Sequence, residues 1–281
     1  MEKIYGVIGN PISHSMSPLM HNDLFQFYKF SGRYHAFHVE NGNVGAAING
    51  MRALGIAGMN VTIPHKIAVI EFLDEIEEVA ENIGAVNTIV NDNGKLIGYN
   101  TDGLGYLMSL TKIISIEDLR NSKVLLIGAG GAARGLFISL AANGVKNIDI
   151  VNRTLKKAEA IQKDCRFEVS STALTYEEAE AKLGSYKVII NTTSVGMHPN
   201  IKELPISTQN IAHGSVVSDI IYNPLQTGFL LEAKERGALT QNGLGMFVYQ
   251  GALAFEKWTG IFPDTDRMEK LVTNILGGKT C

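Results

Sequence analysis

The sequence predicts an α/β protein with two domains, each built on its own sheet. Apolar segments of strand length alternate with segments of helical length along both halves of the 281 residues. One strand runs straight into a glycine-rich turn and a helix, over residues 124–135. Residues 91–94 read Asn-Asp-Asn-Gly between two apolar runs, which is a hairpin signal. Because a hairpin adds an antiparallel strand, we expect a mixed sheet in the first domain.

Composition narrows the class of protein. The chain is 45% hydrophobic and 19% charged, with a net charge of −3, as in ordinary globular proteins of two domains. The chain lacks the excess of basic residues that would indicate a nucleic-acid or membrane partner. The histidines do not have the spacing of zinc ligands, so we expect no metal. Residues 124–142 have the length of a membrane span but contain Arg134 and several glycines. An apolar strand begins by Ile4, which argues against a signal peptide.

Cysteine usage indicates a reducing compartment. Cys165 and Cys281 are the only two cysteines and lie far apart in the chain. We therefore expect free thiols and a cytoplasmic protein.

Local signals predict the elements of the first half. The predicted strands cover 5–9, 34–39, 58–63, 87–90 and 95–99, and the predicted helices cover 19–30, 44–54, 74–83 and 104–112. Ser17 is the expected N-cap of the first helix, with Pro18 at its first position. Pro64 should stop the third strand.

The second half repeats the alternation. We expect strands at 124–127, 147–151, 187–191 and 215–219, and two final helices at 243–258 and 267–276. These helices should return to the first domain and close a cleft between the two domains. The predicted division is therefore 1–103, 104–242 and 243–281.

The glycine turn has the features of a dinucleotide site. Gly128 permits a sharp turn, and Gly130 and Gly131 let the backbone approach a phosphate at the N-terminus of the next helix. The spacing G-x-G-G-x-x-x-G is looser than the usual fingerprint, so a plain strand-to-helix connection stays an alternative at this point.

The end of the next strand favours NADP over NAD. An NAD site places a carboxylate there, whereas an NADP site has an arginine for the 2′-phosphate. Here the chain carries Asn152, Arg153, Thr154 and Lys157, with no carboxylate before Glu159. Thr154 is also expected to cap the next helix. The alternative is a solvated basic first turn, which is unfavourable without an anion.

Polar side chains cluster where strands of the first half end. In an open α/β sheet these ends form the ligand crevice. Hydroxyls, amides, one lysine and one aspartate there suit a small polyhydroxylated acid. Taken singly, each could cap a helix, fill a turn or be solvated. The cluster comprises Ser13, Ser15, Ser17, Asn60, Thr62, Lys66, Asn87, Thr101 and Asp102.

Several motifs together resemble the shikimate dehydrogenase family, in the family's order and over nearly the whole chain. They lie at residues 9–18, 60–66, 84–88, 100–103, 191–197 and 249–260. One departure is Thr192, where the family more often has alanine. His65 occupies a variable position and receives no role.

The resemblance implies reduction of 3-dehydroshikimate to shikimate with NADPH, in aromatic amino-acid biosynthesis. It implies an N-terminal substrate domain and a Rossmann-like NADP-binding domain. Lys66 and Asp102 would be catalytic. The implied substrate contacts are Ser15, Ser17, Thr62, Asn87, Asp102, Tyr222 and Gln250. The implied cofactor contacts are Gly128, Ala129, Gly130, Gly131, Ala132, Asn152, Arg153, Thr154, Lys157, Ile220 and Gly243.

The chemistry of the residues agrees with this role. Hydride transfer to a ketone produces an alkoxide that must receive a proton, which the Lys66 ammonium can donate. Three other readings stay open: an NAD-dependent quinate/shikimate dehydrogenase, a non-catalytic ligand sensor and a bare NADP-binding module. We expect a small-molecule substrate and a monomer or homodimer.

Overall fold

The computed structural model describes residues 2–277, and the chain divides into two compact units. Unit 1 comprises Met1–Asp102 and Val248–Cys281, and unit 2 comprises Gly103–Phe247. The second division lies inside a helix, later than the predicted boundary at 243. Cys281, expected to be a free thiol, lies outside the described residues.

Strands and helices alternate along most of the chain. The strands are β1 (Lys3–Gly9), β2 (Gly32–His38), β3 (Gly58–Val61), β4 (Glu75–Ile76), β5 (Thr88–Asp92), β6 (Lys95–Tyr99), β7 (Lys123–Ile127), β8 (Asn147–Val151), β9 (Ala173–Leu174), β10 (Val188–Asn191), β11 (Val216–Asp219) and β12 (Leu239–Gln241). The helices are α1 (Ser17–Phe27), α2 (Val44–Ala53), α3 (Glu78–Ile83), α4 (Asp102–Leu110), α5 (Ile116–Arg120), α6 (Gly131–Ala142), α7 (Leu155–Asp164), α8 (Tyr176–Lys182), α9 (Gly228–Glu235), α10 (Leu244–Thr259) and α11 (Thr265–Gly277).

Unit 1 contains the mixed sheet that the hairpin signal predicted. Its strand order is β2-β1-β3-β5-β6-β4, and β5 pairs antiparallel with both β3 and β6. At the turn between β5 and β6, Asn93 and Gly94 both have positive φ, of 52° and 96°. Tight hairpin turns require this backbone geometry, and Asn-Gly adopts it at low cost.

Two local predictions for unit 1 are wrong. The helix expected over 74–83 is reduced to α3, because Asp74 and Glu77 donate their backbone N–H groups to Leu96 and Gly98. Tertiary strand pairing overrides the helical preference of this glutamate-rich segment. Ser17 is the first residue of α1 rather than its N-cap, which is Met16 without a side-chain capping bond.

The core of unit 1 includes an aromatic cluster around His21. The His21 ring is fully buried and stacks on Tyr34 with 4.5 Å between ring centroids. From α10, Trp258 packs at 5.2 Å from Tyr5 and donates its Nε1–H to Ile89 O at 3.0 Å. The C-terminal segment of unit 1 therefore helps to form the core of the mixed sheet.

Unit 2 contains a sheet of strand order β12-β11-β10-β7-β8-β9, with every pair parallel. Its central strand β7 is fully buried from Val124 to Ile127, which explains the continuous apolar run in the sequence. The edge strands β9 and β12 escaped prediction because they are only two and three residues long.

No helix within residues 2–277 combines the length and the apolar character that crossing a membrane requires. The apolar stretch 124–142 is divided between β7 and α6.

Candidate substrate and cofactor sites

A lysine–carboxylate pair lies where β3 and β6 end in unit 1. Lys66 Nζ is 2.6 Å from Asp102 Oδ2, and the two side chains are 29% and 22% exposed. Lys66 belongs to the loop after β3, while Asp102 is the first residue of α4. Partial exposure leaves both groups accessible to a small molecule, and the short distance lets them share a proton-transfer task.

Asn87 hydrogen-bonds the carboxylate oxygen of Asp102 that Lys66 does not contact. Its Nδ2 donates to Asp102 Oδ1 and to Thr101 Oγ1, both at 2.9 Å. Its Oδ1 accepts from the Thr101 backbone N–H at 2.8 Å. Both hydrogen-bonding ends of the buried amide are therefore used, which fixes the orientation of Asp102.

The antiparallel strands bring these residues together. Backbone bonds run from Val86 N to Lys66 O at 2.8 Å and from Asn87 N to Tyr99 O at 3.0 Å. Gln250 joins the same region, since its carbonyl oxygen accepts from Thr101 Oγ1 at 3.1 Å. Thr101 thus links the aspartate loop to α10, although sequence reasoning placed it only in the general polar cluster.

Ser15 lies just before α1, and Ser17 is the first residue of that helix. Ser15 Oγ accepts from the Ser17 backbone N–H at 3.3 Å, so the hydroxyl proton of Ser15 can serve another acceptor. The Ser17 side chain is buried, and the hydroxyl of Tyr34 donates to Asn60 Oδ1 at 2.7 Å. Burial raises the pKa of Tyr34 well above its usual range, and the Ser17 hydroxyl only partly opposes this effect.

Thr62 and His65 shape the loop that carries Lys66. The Thr62 methyl group is 2.5 Å from where a Cβ on Gly9 would lie, so Thr62 packs against the start of the serine loop. His65 is buried, with Nε2 2.7 Å from Val39 O. A ring nitrogen facing a carbonyl must donate, so His65 anchors the loop, in line with the absence of a predicted chemical role.

The glycine turn of unit 2 has space for a ligand. Gly128 has φ of +105°, and a Cβ there would lie 2.8 Å from Thr193 Cγ2, so glycine is required. Around exposed Gly130 and Gly131, at the N-terminus of α6, an added Cβ would meet no heavy atom within 4 Å. With Ala129 and Ala132, these small residues fit a pyrophosphate approaching the helix N-terminus.

Residues after β8 form an exposed basic turn. Arg153, Thr154 and Lys157 are exposed, and the first turn of α7 contains no acidic residue. Asn152 Nδ2 donates to Thr154 O at 2.9 Å. Thr154 occupies the N-cap position as predicted, but its side chain makes no capping bond. The arrangement fits a bound phosphate, which would offset the unfavourable basic charge at the N-terminus.

Ile220 and Gly243 lie against each other at the carboxyl end of the parallel sheet. A Cβ on Gly243 would collide with the Ile220 carbonyl, and Gly243 N donates to Ile221 O at 2.9 Å. Nearby in the chain, Tyr222 stacks on Phe247 with ring centroids 5.2 Å apart. Burial raises the pKa of Tyr222 above its usual value.

The unusual Thr192 supports the glycine turn. Its Oγ1 donates to Ile127 O at 2.7 Å, directly before Gly128. An alanine could not make this bond, so Thr192 adds a contact beneath the turn.

Three family models match the chain. They are described as shikimate dehydrogenase substrate binding domain over residues 7–89, shikimate/quinate 5-dehydrogenase over 110–211 and shikimate 5′-dehydrogenase C-terminal domain over 243–273. A relative from Geobacillus sp. (strain WCH70), named shikimate dehydrogenase (NADP(+)), is 58% identical, covering 99% of this chain and 100% of its own.

Solved structures of shikimate dehydrogenases share the fold of this chain. A shikimate dehydrogenase in complex with NADP+ superposes with a TM-score of 0.90 at 43% identity, covering 98% of this chain and 96% of its own. Shikimate 5-dehydrogenase from Listeria monocytogenes, in complex with shikimate and NAD, gives 0.91 at 34% identity and covers 96% of each chain. On sequence, fold and the arrangement of its polar residues, the chain belongs to the shikimate dehydrogenase family.

Proposed function

We propose that this protein is an NADP-dependent shikimate dehydrogenase, an oxidoreductase that reversibly reduces 3-dehydroshikimate to shikimate in aromatic amino-acid biosynthesis. The observation that carries the proposal is the contact of 2.6 Å between Lys66 and Asp102, held by Asn87. A sensor or a bare nucleotide-binding module has no use for an oriented, accessible acid–base pair.

Lys66 handles the proton. When bound, NADPH supplies the hydride that adds to the substrate carbonyl carbon. The oxygen of that carbonyl then takes a proton from the Lys66 ammonium group, and the neutral amine takes it back in the oxidation direction. Asp102 keeps Lys66 directed towards this oxygen and accepts a hydrogen bond from a ring hydroxyl.

Other residues of unit 1 orient the ring. Asn87 and Thr62 hold ring hydroxyls. Gln250 and Tyr222 are further substrate contacts that the family resemblance implies. Ser15 and Ser17 hold the substrate carboxylate at the start of α1, where backbone N–H groups also favour an anion. Ser15 is the more accessible of the two, because Ser17 is buried.

Unit 2 holds the cofactor. Gly128, Ala129, Gly130, Gly131 and Ala132 receive the pyrophosphate, and Asn152, Arg153, Thr154 and Lys157 surround the adenosine phosphate. Ile220 and Gly243 lie beside the nicotinamide. The exposed guanidinium of Arg153 supports NADP over NAD, because arginine matches phosphate geometry.

The proposal also covers the cellular compartment and the oligomeric state of the protein. We place the enzyme in the cytoplasm because its sparse cysteines suit a reducing compartment. We expect a monomer or a homodimer, and mass measurement in solution decides between them.

A NADP-linked absorbance assay tests the function. We expect oxidation of shikimate with NADP to exceed oxidation of quinate and turnover with NAD. Preference for quinate with NAD would identify the alternative dehydrogenase. Shikimate binding without turnover would indicate a sensor, and NADP binding without shikimate binding would indicate a bare nucleotide-binding module.

A further inference from the structure

A buried carboxylate lies at the carboxyl end of β11. The Asp219 side chain is 0% exposed. Its Oδ1 accepts from Asn191 Nδ2 at 3.2 Å and from Ile221 N at 3.0 Å, while its Oδ2 accepts from Thr227 Oγ1 at 2.9 Å. All three donors are neutral. Burial raises the pKa of the Asp219 carboxyl, and the hydrogen bonds oppose this effect. Burying such a group is costly, so its presence suggests a specific task.

Asn191 extends the network into the loop after β10. Its Nδ2 also donates to Val195 O at 3.2 Å, and its Oδ1 accepts from the backbone N–H and the hydroxyl of Thr193, at 3.0 and 2.7 Å. The contact between Asn191 and Asp219 therefore ties two loops together at the edge of the sheet where open α/β folds bind ligands.

The network also fixes the segment from Ile220 to Tyr222. Asp219 accepts a hydrogen bond from the backbone N–H of Ile221. The backbone N–H of Gly243 donates to the carbonyl oxygen of Ile221 at 2.9 Å. Further along the chain, Thr227 caps α9 by accepting from Leu230 N at 3.4 Å. The backbone of Ile221 is thus bound from two sides, and both bonds depend on residues that follow or end a strand.

We propose that Asp219 is a positioning residue, whose buried carboxylate fixes the backbone of residues 220–222 for hydride transfer. The inference rests on the proposed function, which places Ile220 beside the nicotinamide and Tyr222 beside the substrate. Asp219 itself is fully covered and acts through the groups that it binds. A shift of about 1 Å in reacting groups can reduce the rate by about 10²-fold, so small backbone displacements matter here.

Substitutions at Thr227 test the network with little change in shape. Thr227→Val removes the hydroxyl that donates to Asp219, whereas Thr227→Ser keeps it. Thr208→Val is the matched control, because Thr208 is also buried in unit 2 and donates to a carboxylate, Glu232 Oε2, at 2.6 Å. Asp219→Ala removes the acceptor itself.

The measurements separate positioning from stability. For Thr227→Val we expect kcat to fall about 10-fold or more, with restoration in Thr227→Ser. The Kd of NADPH, measured by its own fluorescence, should change little because phosphate contacts dominate it. In the ligand-free protein, amide hydrogen exchange in residues 219–230 should accelerate. Thr208→Val should lower the melting temperature without these effects.

Two results would overturn the proposal. One is a Thr227→Val variant with normal kcat and normal exchange in residues 219–230, whatever its melting temperature. The other is an Asp219→Ala variant that folds and keeps the kcat of the unmodified enzyme. If Asp219→Ala fails to fold, Thr227→Val decides. If the unmodified enzyme does not turn over shikimate, the proposed function fails, and the exchange measurement still tests the network.

Discussion

The two units build their candidate ligand sites from different parts of the chain. In unit 2 the proposed phosphate site consists of backbone groups: a turn at Gly128 with φ of +105° and an open helix start at Gly130. In unit 1 the site is a set of side chains, where Asp102 contacts Lys66 at 2.6 Å and Asn87 at 2.9 Å. Backbone recognition needs glycine at fixed positions, whereas side-chain recognition needs strands to meet in the right register.

Their cores differ in the polar rings that they bury. In unit 2 the core contains Leu125, Ile189, Val217 and other apolar residues, and it includes the ring of Tyr186. Unit 1 also buries an imidazole ring, that of His21, whose two ring nitrogens have no hydrogen-bond partner among residues 2–277. Unit 1 should therefore contribute acid sensitivity through His21, whereas substitutions in unit 2 should change cofactor affinity at the glycine turn and turnover through Asp219.

The largest expected effect is at Lys66. Lys66→Ala should lower kcat by about 10²–10⁴-fold with a modest change in shikimate affinity, because the lost contact acts mainly in the transition state. Lys66→Arg should not restore it, since guanidinium cannot accept the proton in the oxidation direction. Steady-state assays with saturating shikimate and NADP measure this. Lys95→Ala, which breaks an exposed pair with Glu75 in the same unit, is the control. Near-normal turnover in Lys66→Ala would show that another group handles the proton.

Arg153 should give the next largest effect. On the proposed function, Arg153→Ala should remove a charge-assisted phosphate contact, which typically contributes about 1.5–3 kcal/mol. The KM for NADP should therefore rise about 10- to 100-fold. NAD lacks the 2′-phosphate and serves as the internal control. Equal increases for both cofactors would mean that Arg153 does not select between them.

Gly130→Ala tests whether backbone groups at the glycine turn bind the pyrophosphate. Gly130 has φ of −91°, which any residue tolerates, and its added Cβ would meet no protein atom. We expect a normal melting temperature and a higher KM for NADP, because the methyl group would occupy the approach of the pyrophosphate. Gly50→Ala, at another glycine with open surroundings in α2 of unit 1, should leave KM unchanged. An unchanged KM in Gly130→Ala would argue for a different pyrophosphate position.

His21 should make the stability of unit 1 sensitive to acid. Burial lowers the pKa of His21 from 6.5 to about 3. Below pH 6.5 His21 binds a proton in the unfolded chain but stays neutral in the folded protein. The contribution of neutral, buried His21 to the free energy of unfolding is therefore fully present above pH 6.5 and is lost as the pH falls. Between pH 7 and pH 5 the loss is about 2 kcal/mol.

Denaturant unfolding of His21→Phe at both pH values measures this effect. The phenyl ring keeps the stack on Tyr34, so the variant should lose about 2 kcal/mol less than the unmodified protein over this range. His14→Phe, at an exposed histidine, is the control. Identical acid sensitivity of the two proteins would mean that His21 is not desolvated in solution.

The sequence alone was sufficient for features that depend on near neighbours in the chain. The apolar run of β7, the glycine turn at Gly128, the Asn93–Gly94 hairpin and the mixed sheet were predicted, because each depends on local backbone preferences or periodicity. The motif order also identified the family. The individual site residues stay predictions that the proposed variants test.

Tertiary structure decided what depends on distant contacts. Glu75 and Ile76 form β4 rather than helix because β6 offers them backbone partners. Ser17 became the first residue of α1, with its side chain buried. The network around Asp219 carried no sequence signal, because Asn191, Asp219 and Thr227 meet only when parallel strands align their carboxyl ends. Burial and hydrogen bonding between remote residues are properties of the packed chain, and local pattern does not encode them.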